Sequence, residues 1–156
     1  MEPIEFKKTI LNIAVCAISC DDDIDDREIE AMYNIEKKSP YFSTVDLKET
    51  LEKSLKECMK DLNKFQQMVF DDLKKSDLNI GQELTLLEIS CIIIEADQRI
   101  DDAEIVFIRE LRKHLKVDDV IINQRFGDIP YLTTKSNEFK VFTKSNEEKK
   151  AIKKAK

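Results

Sequence analysis

Residues 11–29, "LNIAVCAISCDDDIDDREI", join a strongly apolar stretch directly to a strongly acidic one. From Ile10 to Ile18 nearly every position is apolar, and no polar face recurs at helical spacing. This pattern predicts a helix that is buried on almost every side. An amphipathic helix is predicted next, from about Arg27 to Lys38. The acidic residues between the two helices therefore form a corner.

The same pattern occurs a second time at residues 87–105, "LEISCIIIEADQRIDDAEI", at an offset of 76. Nine of the nineteen aligned positions are identical, where chance would give roughly one or two. We interpret this as an internal duplication, in which each copy contains a buried helix, an acidic corner and an amphipathic helix. We name residues 21–30 the first acidic segment and residues 95–105 the second acidic segment.

The composition favours an all-α fold, because 156 residues contain only two glycines and three prolines. We predict one helical domain at residues 1–134, with repeats at about 4–75 and 79–126. The repeats would pack with pseudo-twofold symmetry around two central buried helices. Between them, an apolar stripe from Leu47 to Leu73, which includes Met59, predicts one long helix or two with a bend near residues 61–63.

The chain's cysteines and its histidine limit the chemistry that it can perform. Cys16, Cys20, Cys58 and Cys91 form no CxxC pair, and we interpret them as small buried thiols. His114 is the only histidine, and we expect it at a helix end and exposed. A zinc site and a di-iron bundle that needs two Glu-x-x-His motifs are therefore not expected.

Charge is distributed unevenly along the chain. Residues 1–134 carry 18 basic and 29 acidic groups, a net charge of −11, whereas residues 135–156 carry eight lysines and three glutamates, a net charge of +5. An acidic body matches a phosphate backbone poorly, so we expect no nucleic acid as a partner. We expect residues 135–156 to be a solvated, weakly ordered, lysine-rich tail, with contact to an anionic membrane surface or to its own body as the alternatives.

The chain's location can be predicted from what its sequence lacks. The N-terminal "MEPIEFKK" does not resemble a signal peptide, and no apolar run reaches the roughly 18 residues that a membrane span needs. Four cysteines without a disulfide pattern are consistent with a reducing compartment. We therefore expect a cytoplasmic protein.

The carboxylates of the acidic segments have two interpretations, which the sequence leaves open. Asp25-x-x-Glu28 and Asp101-x-x-Glu104 have the spacing of a capping box, so both pairs can stabilise a helix start without any further role. Asp21 and its counterpart Asp97 are different, because an anion is unfavourable at the C-terminal end of a helix.

A divalent cation such as Ca²⁺ or Mg²⁺ is the second interpretation, because clustered carboxylates bind these hard ions. It would bridge the carboxylates within one turn. The candidate ligands are Asp21, Asp25, Glu28, Asp97, Asp101 and Glu104. An EF-hand is excluded, since a loop that began at Asp21 would need glycine and glutamate where Asp26 and Met32 stand.

The repeated pattern resembles the TerB-like family, which is associated with tellurite resistance and also occurs at the front of a membrane-anchored J-domain co-chaperone. The residues that carry the resemblance are Asp21, Ile24, Asp25 and Glu28, together with Asp97, Ile100, Asp101 and Glu104. The resemblance covers about residues 4–126. It implies an all-α domain of two helical repeats, without enzymatic activity, with metal-binding acidic positions and a role in stress responses. Asp22 and Gln98 replace the glycine that the family has after the first aspartate.

We predict a non-catalytic module that binds protein partners, whose identity the sequence does not reveal, either as a cation-responsive adaptor or as a plain scaffold. The alternative is a Mg²⁺-dependent hydrolase of the all-α nucleotide pyrophosphohydrolase type. Glu49-x-x-Glu52 is similar to one half of that signature, but the other half is absent from the sequence. The chain also lacks a glycine-rich phosphate loop and a nucleophile with a histidine beside it.

Overall fold

The computed structural model describes residues 1–21, 24–38, 47–96 and 98–132, and the described residues confirm the all-α fold. Within these ranges there are helices but no strand. The helices are α1 (Pro3–Ser19), α2 (Asp26–Lys38), α3 (Leu47–Lys60), α4 (Leu62–Lys75), α5 (Ile80–Ile94), α6 (Asp102–Lys113) and α7 (Asp119–Phe126), followed by a 3₁₀ turn at Pro130–Leu132. Asp22, Asp97 and the lysine-rich tail lie outside the described residues.

The two all-apolar helices of the sequence, α1 and α5, form the centre of the molecule. Ile13 of α1 is fully buried and Ile89 of α5 is 5% exposed. Helix α1 packs most extensively against α5 and also contacts α3, α4 and α6, and its residues from Ile13 to Ser19 are all buried. Full burial of one such side chain stabilises the fold by about 2 kcal/mol. The apolar residues of both helices thus belong to the core.

The middle segment forms two helices rather than one. Asp61 separates α3 from α4, because its backbone is extended (φ −158°, ψ 92°) and its carboxylate accepts a hydrogen bond from the Lys64 N–H at 3.2 Å. This is N-cap geometry, which starts a new helix. Met59, which belongs to the predicted apolar stripe, lies two residues before this break and is 38% exposed.

Helices α5 and α7 are bounded by residues suited to capping. Asn79 and Gln82 form a capping box at the start of α5. Asp118 caps α7, and Gly127 ends it with a positive φ of 81°. Glycine adopts that conformation at little cost, whereas other residues are strained by it.

The cysteines and the histidine can be compared directly with their predictions. All four thiols are free, and Cys16, Cys58 and Cys91 are buried as expected, whereas Cys20 is partly exposed. His114 lies at the end of α6, but its side chain is only 13% exposed because it stacks on Phe70, with 4.9 Å between the ring centres. The expectation that it is exposed is wrong. None of the described helices has the length and apolar character that crossing a membrane requires.

Candidate functional site

The two acidic segments, far apart in the chain, come together in the structure. Glu28 lies in the first turn of α2 and Glu104 in the first turn of α6, and each residue is 1% exposed. Their carboxyl groups are neighbours. Packing of α2 against α5, and of α1 against α6, brings the two helix starts to the same place. We name the described residues of both acidic segments the acidic corner.

The second acidic segment contains the predicted capping box. Asp101 Oδ1 accepts a hydrogen bond from the Glu104 N–H at 2.9 Å, and Glu104 Oε1 accepts one from the Asp101 N–H at 3.0 Å. Two of the N–H groups that a helix start leaves unpaired are thereby satisfied. The capping interpretation is confirmed for this copy.

The first acidic segment contains only half of that arrangement. Glu28 accepts a hydrogen bond from the Asp25 N–H, as a capping box requires. The Asp25 carboxylate, however, accepts from the Arg27 N–H at 2.7 Å and from the Arg27 guanidinium at 3.1 and 3.2 Å. Hydrogen bonds from Arg27 lower the pKa of Asp25. The copies differ here because Ala103, which has no side-chain donor, occupies the position equivalent to Arg27.

The carboxyl pair at the centre of the corner is electrostatically unfavourable when both groups are charged. Burial, followed by the hydrogen bond to Glu104 and repulsion from Glu104 and Asp21, raises the pKa of Glu28 to about 9. Apart from Glu104, the described residues place no hydrogen-bond donor at Glu28 Oε1. A hydrogen bond between two carboxyl groups requires that one of them carries a proton. Near neutral pH the pair therefore holds a proton.

Cys20 lies beside the acidic corner, although sequence reasoning did not select it. It follows the last residue of α1, and its thiol donates to the Ala17 carbonyl at 3.4 Å. Burial raises the pKa of this thiol, and the carboxylates of Glu104, Asp21 and Asp101 raise it further. Its only signal in the sequence is its position next to Asp21. The equivalent residue in the second copy is Ala96.

The structure brings together some of the predicted metal ligands and not others. Asp21, Glu28, Asp101 and Glu104 all lie near Cys20, whereas Asp25 is directed to Arg27. Asp97 lies outside the described residues. Over residues 1–21, 24–38, 47–96 and 98–132, no three Asp, Glu, His or Cys side chains are arranged to hold a metal ion. The assignment of these residues as ligands stays a prediction.

Gln98, at the position where the resemblance to the TerB-like pattern fails, has a positive φ. Its φ is 63°, in the left-handed region, and its N–H donates to the Glu95 carbonyl at 3.0 Å. The second acidic segment thus contains a left-handed turn at a residue with a side chain, with some backbone strain. The equivalent Asp22 lies outside the described residues.

A cavity of about 520 Å³ lies between α1 and α4, away from the acidic corner. Val69 and Leu73 contribute buried apolar side chains, while Lys8, Asp72 and Lys75 are exposed around it. None of its lining residues belongs to either acidic segment. It is therefore separate from the positions that carry the family resemblance.

Comparison with protein-family models finds no match for this chain, and neither the curated proteins nor the solved structures contain a match.

Proposed function

We propose that this chain is a non-catalytic TerB-like binding module that acts in the cytoplasm as a divalent-cation-responsive adaptor in a stress response. We also propose that its two helical repeats are related by pseudo-twofold symmetry. The nine identities between residues 11–29 and 87–105 support the duplication, and the TerB-like residues in both copies support the family. The meeting of two equivalent glutamates, Glu28 and Glu104, is what a twofold axis near the acidic corner would produce.

The single observation that carries the cation proposal is this buried pair. Two carboxyl groups, each 1% exposed, cannot both be charged without a compensating positive charge between them. A shared proton neutralises one of the two negative charges. A hard divalent cation would neutralise both, with the carboxylate oxygens as its ligands. By their chemistry, Glu28 and Glu104 would hold such an ion, with Asp21 and Asp101 as the nearest further carboxylates.

The position of the pair explains how binding would be transmitted. Helices α1 and α5 end at the acidic corner, and α2 and α6 begin there. An ion that replaces the shared proton would act on the first turns of α2 and α6 together. The angle between each central helix and its successor would change, and so would the surface that the two amphipathic helices present to a protein partner.

Isothermal titration of the full chain with Ca²⁺, Mg²⁺ and Mn²⁺ tests this proposal. We expect heat of binding and a higher melting temperature with at least one of these ions. Glu28→Gln and Glu104→Gln should abolish both effects, whereas Asp118→Asn, which alters an N-cap outside the acidic corner, should leave them unchanged. If none of the ions gives heat or a shift in melting temperature, the scaffold form of the proposal remains.

The hydrolase alternative depends on Glu49 and Glu52, both of which are exposed on the surface of α3. Their positions add no support to it. Nucleoside triphosphates incubated with Mg²⁺ and the full chain test it directly. Turnover that is lost in a Glu49→Gln, Glu52→Gln double variant would replace the binding-module proposal with the hydrolase.

A further inference from the structure

The net charge of the body is concentrated in the two acidic segments of the sequence. Residues 21–30 carry seven acidic groups and one arginine, a charge of −6, and residues 95–105 carry five acidic groups and one arginine, a charge of −4. Together they account for −10 of the −11 carried by residues 1–134. The rest of the body is therefore almost neutral. A cationic partner would meet a strong attractive field at this place and only a weak one elsewhere.

The charges within the acidic corner are compensated only in part. Arg27 and Arg99 are its only basic residues, and Arg27 is committed to Asp25. Asp26 and Asp102, the first residues of α2 and α6, are exposed. At the centre, Glu28 and Glu104 are almost fully buried and already share a proton. A partner at the surface therefore meets the exposed carboxylates of Asp26 and Asp102 rather than this pair.

The described part of the chain ends beside this acidic corner. The Tyr131 hydroxyl donates to Glu95 Oε2 at 2.7 Å, and Glu95 is the first residue of the second acidic segment. Leu132 is held in place because its carbonyl accepts from Arg112 Nε at 2.9 Å. Lys135, the first lysine of the tail, follows Leu132 by three residues, a span of at most about 10 Å.

We infer that the lysine-rich tail, residues 135–156, docks on the acidic corner of its own chain. Eight lysines in 22 residues provide the positive charge that the corner lacks. Covalent attachment beside the corner gives the tail a high effective concentration there, so docking within one chain is favoured over docking on a second copy. The tail thereby shields the acidic corner from other cationic partners. This inference goes beyond the proposed function and does not depend on cation binding.

Zero-length carbodiimide coupling of the full chain, followed by peptide mass spectrometry, tests this inference. The reagent joins lysine amines only to carboxylates in direct contact. We expect tail lysines to couple to Asp26 and Asp102 at least about fivefold more than to Asp71 and Asp72, exposed aspartates on α4 that serve as the matched control. The enrichment should disappear in 1 M salt, where charges are screened beyond about 3 Å.

Two variants and a labelling experiment separate the outcomes. Asp26→Asn with Asp102→Asn should reduce coupling of the tail to the remaining corner carboxylates, whereas Asp71→Asn with Asp72→Asn should not. A mixture of isotopically light and heavy chains shows whether coupling occurs within one copy. Equal coupling to all exposed acids, or coupling only between differently labelled copies, overturns the inference. It is also overturned if the tail shows no enrichment and the full chain floats with phosphatidylserine vesicles, because the tail would then be a membrane-contact segment.

Discussion

Glu28 and Glu104 occupy equivalent positions, 76 residues apart, and their buried carboxyl groups face each other where α2 and α6 begin. Each also accepts a hydrogen bond from the backbone N–H three residues earlier, at Asp25 and at Asp101. The same side chains thus cap two helices and form one proton-binding pair. A capping role explains why a glutamate stands at each position, and the pairing explains why neither is exposed.

The raised pKa of Glu28 predicts how stability depends on pH. The ordinary pKa is 4.5 and the pKa in the folded protein is about 9, so between these values the folded state binds the proton more tightly. The stability that this group contributes is complete below about pH 4.5 and is lost as pH rises towards 9. One extra proton in the folded state makes the free energy of unfolding fall by up to about 1.4 kcal/mol per pH unit.

Urea unfolding at pH 5.5–8.0 measures how the free energy of unfolding changes with pH. This pH range lies below the range in which the thiols of the unfolded chain ionise. Glu28→Gln replaces the proton-binding carboxyl with an amide of the same shape, so its free energy of unfolding should lack this part of the slope. Glu30→Gln, an exposed substitution on the same helix, should retain it. Parallel curves for the wild type and Glu28→Gln would contradict a shared proton.

Ser90 is predicted to be less favourable than alanine at its position. It is fully buried in α5, and its hydroxyl has no hydrogen-bond partner among the described residues. Its equivalent in α1 is Ala14, also fully buried. Since a buried hydroxyl without a partner costs about 1–3 kcal/mol, Ser90→Ala should raise the free energy of unfolding by about 1 kcal/mol.

Ser19 provides the matched control for this substitution. It is equally buried, but its hydroxyl donates to the Val15 carbonyl at 2.7 Å and lies 3.1 Å from Cys58 Sγ. Ser19→Ala should therefore lower the free energy of unfolding by about 1 kcal/mol. Chemical denaturation of both variants gives the comparison, and equal effects of the same sign would show that the hydrogen bonds do not matter.

Gln98→Gly should stabilise the fold. A left-handed φ costs a residue with a side chain about 1–2 kcal/mol. Glycine relieves this strain but loses more conformational entropy on folding, so the free energy of unfolding should rise by only about 0.5–1 kcal/mol. Gly127→Ala is the converse test, because Gly127 has a φ of 81°. Its free energy of unfolding should fall by about 1–2 kcal/mol even though no atom lies within 4 Å of the added methyl group. A loss of stability in Gln98→Gly would contradict strain at this turn.

Glu83 is predicted to be important for stability, although it lies outside the acidic corner. It is 3% exposed in α5, and its Oε1 accepts hydrogen bonds from the N–H groups of Lys116 and Val117 at 2.9 and 2.8 Å. Glu83→Ala leaves both donors without this acceptor, so the free energy of unfolding should fall by about 2–3 kcal/mol.

Glu88 is a carboxylate on the same helix with a different environment. Its side chain is 43% exposed and pairs with Arg125 at 2.7 Å. An exposed ion pair contributes little, so Glu88→Ala should cost less than about 1 kcal/mol. Thermal and urea denaturation of the two variants distinguish the buried anchor from the surface pair, and a similar cost for both would contradict this assignment.

The amino-acid sequence by itself determined the helical class, the central position of α1 and α5 and most helix boundaries. These depend on local patterns: unbroken apolar runs, N-cap residues such as Asn79 and Asp118, and the glycine at Gly127. A cap or a helical period is formed within a few residues of chain, so its signal stands in the sequence. The break at Asp61 is of the same kind, although the apolar pattern alone did not decide between one long helix and two.

Only the tertiary structure decided what the carboxylates face. The sequence predicted that an ion would bridge aspartates within one turn, whereas the structure pairs Glu28 of one segment with Glu104 of the other and directs Asp25 to Arg27. It also places Cys20 among these groups and buries His114 under Phe70. Contacts between residues far apart in the chain depend on how helices pack, and packing is set by the whole core rather than by any local pattern.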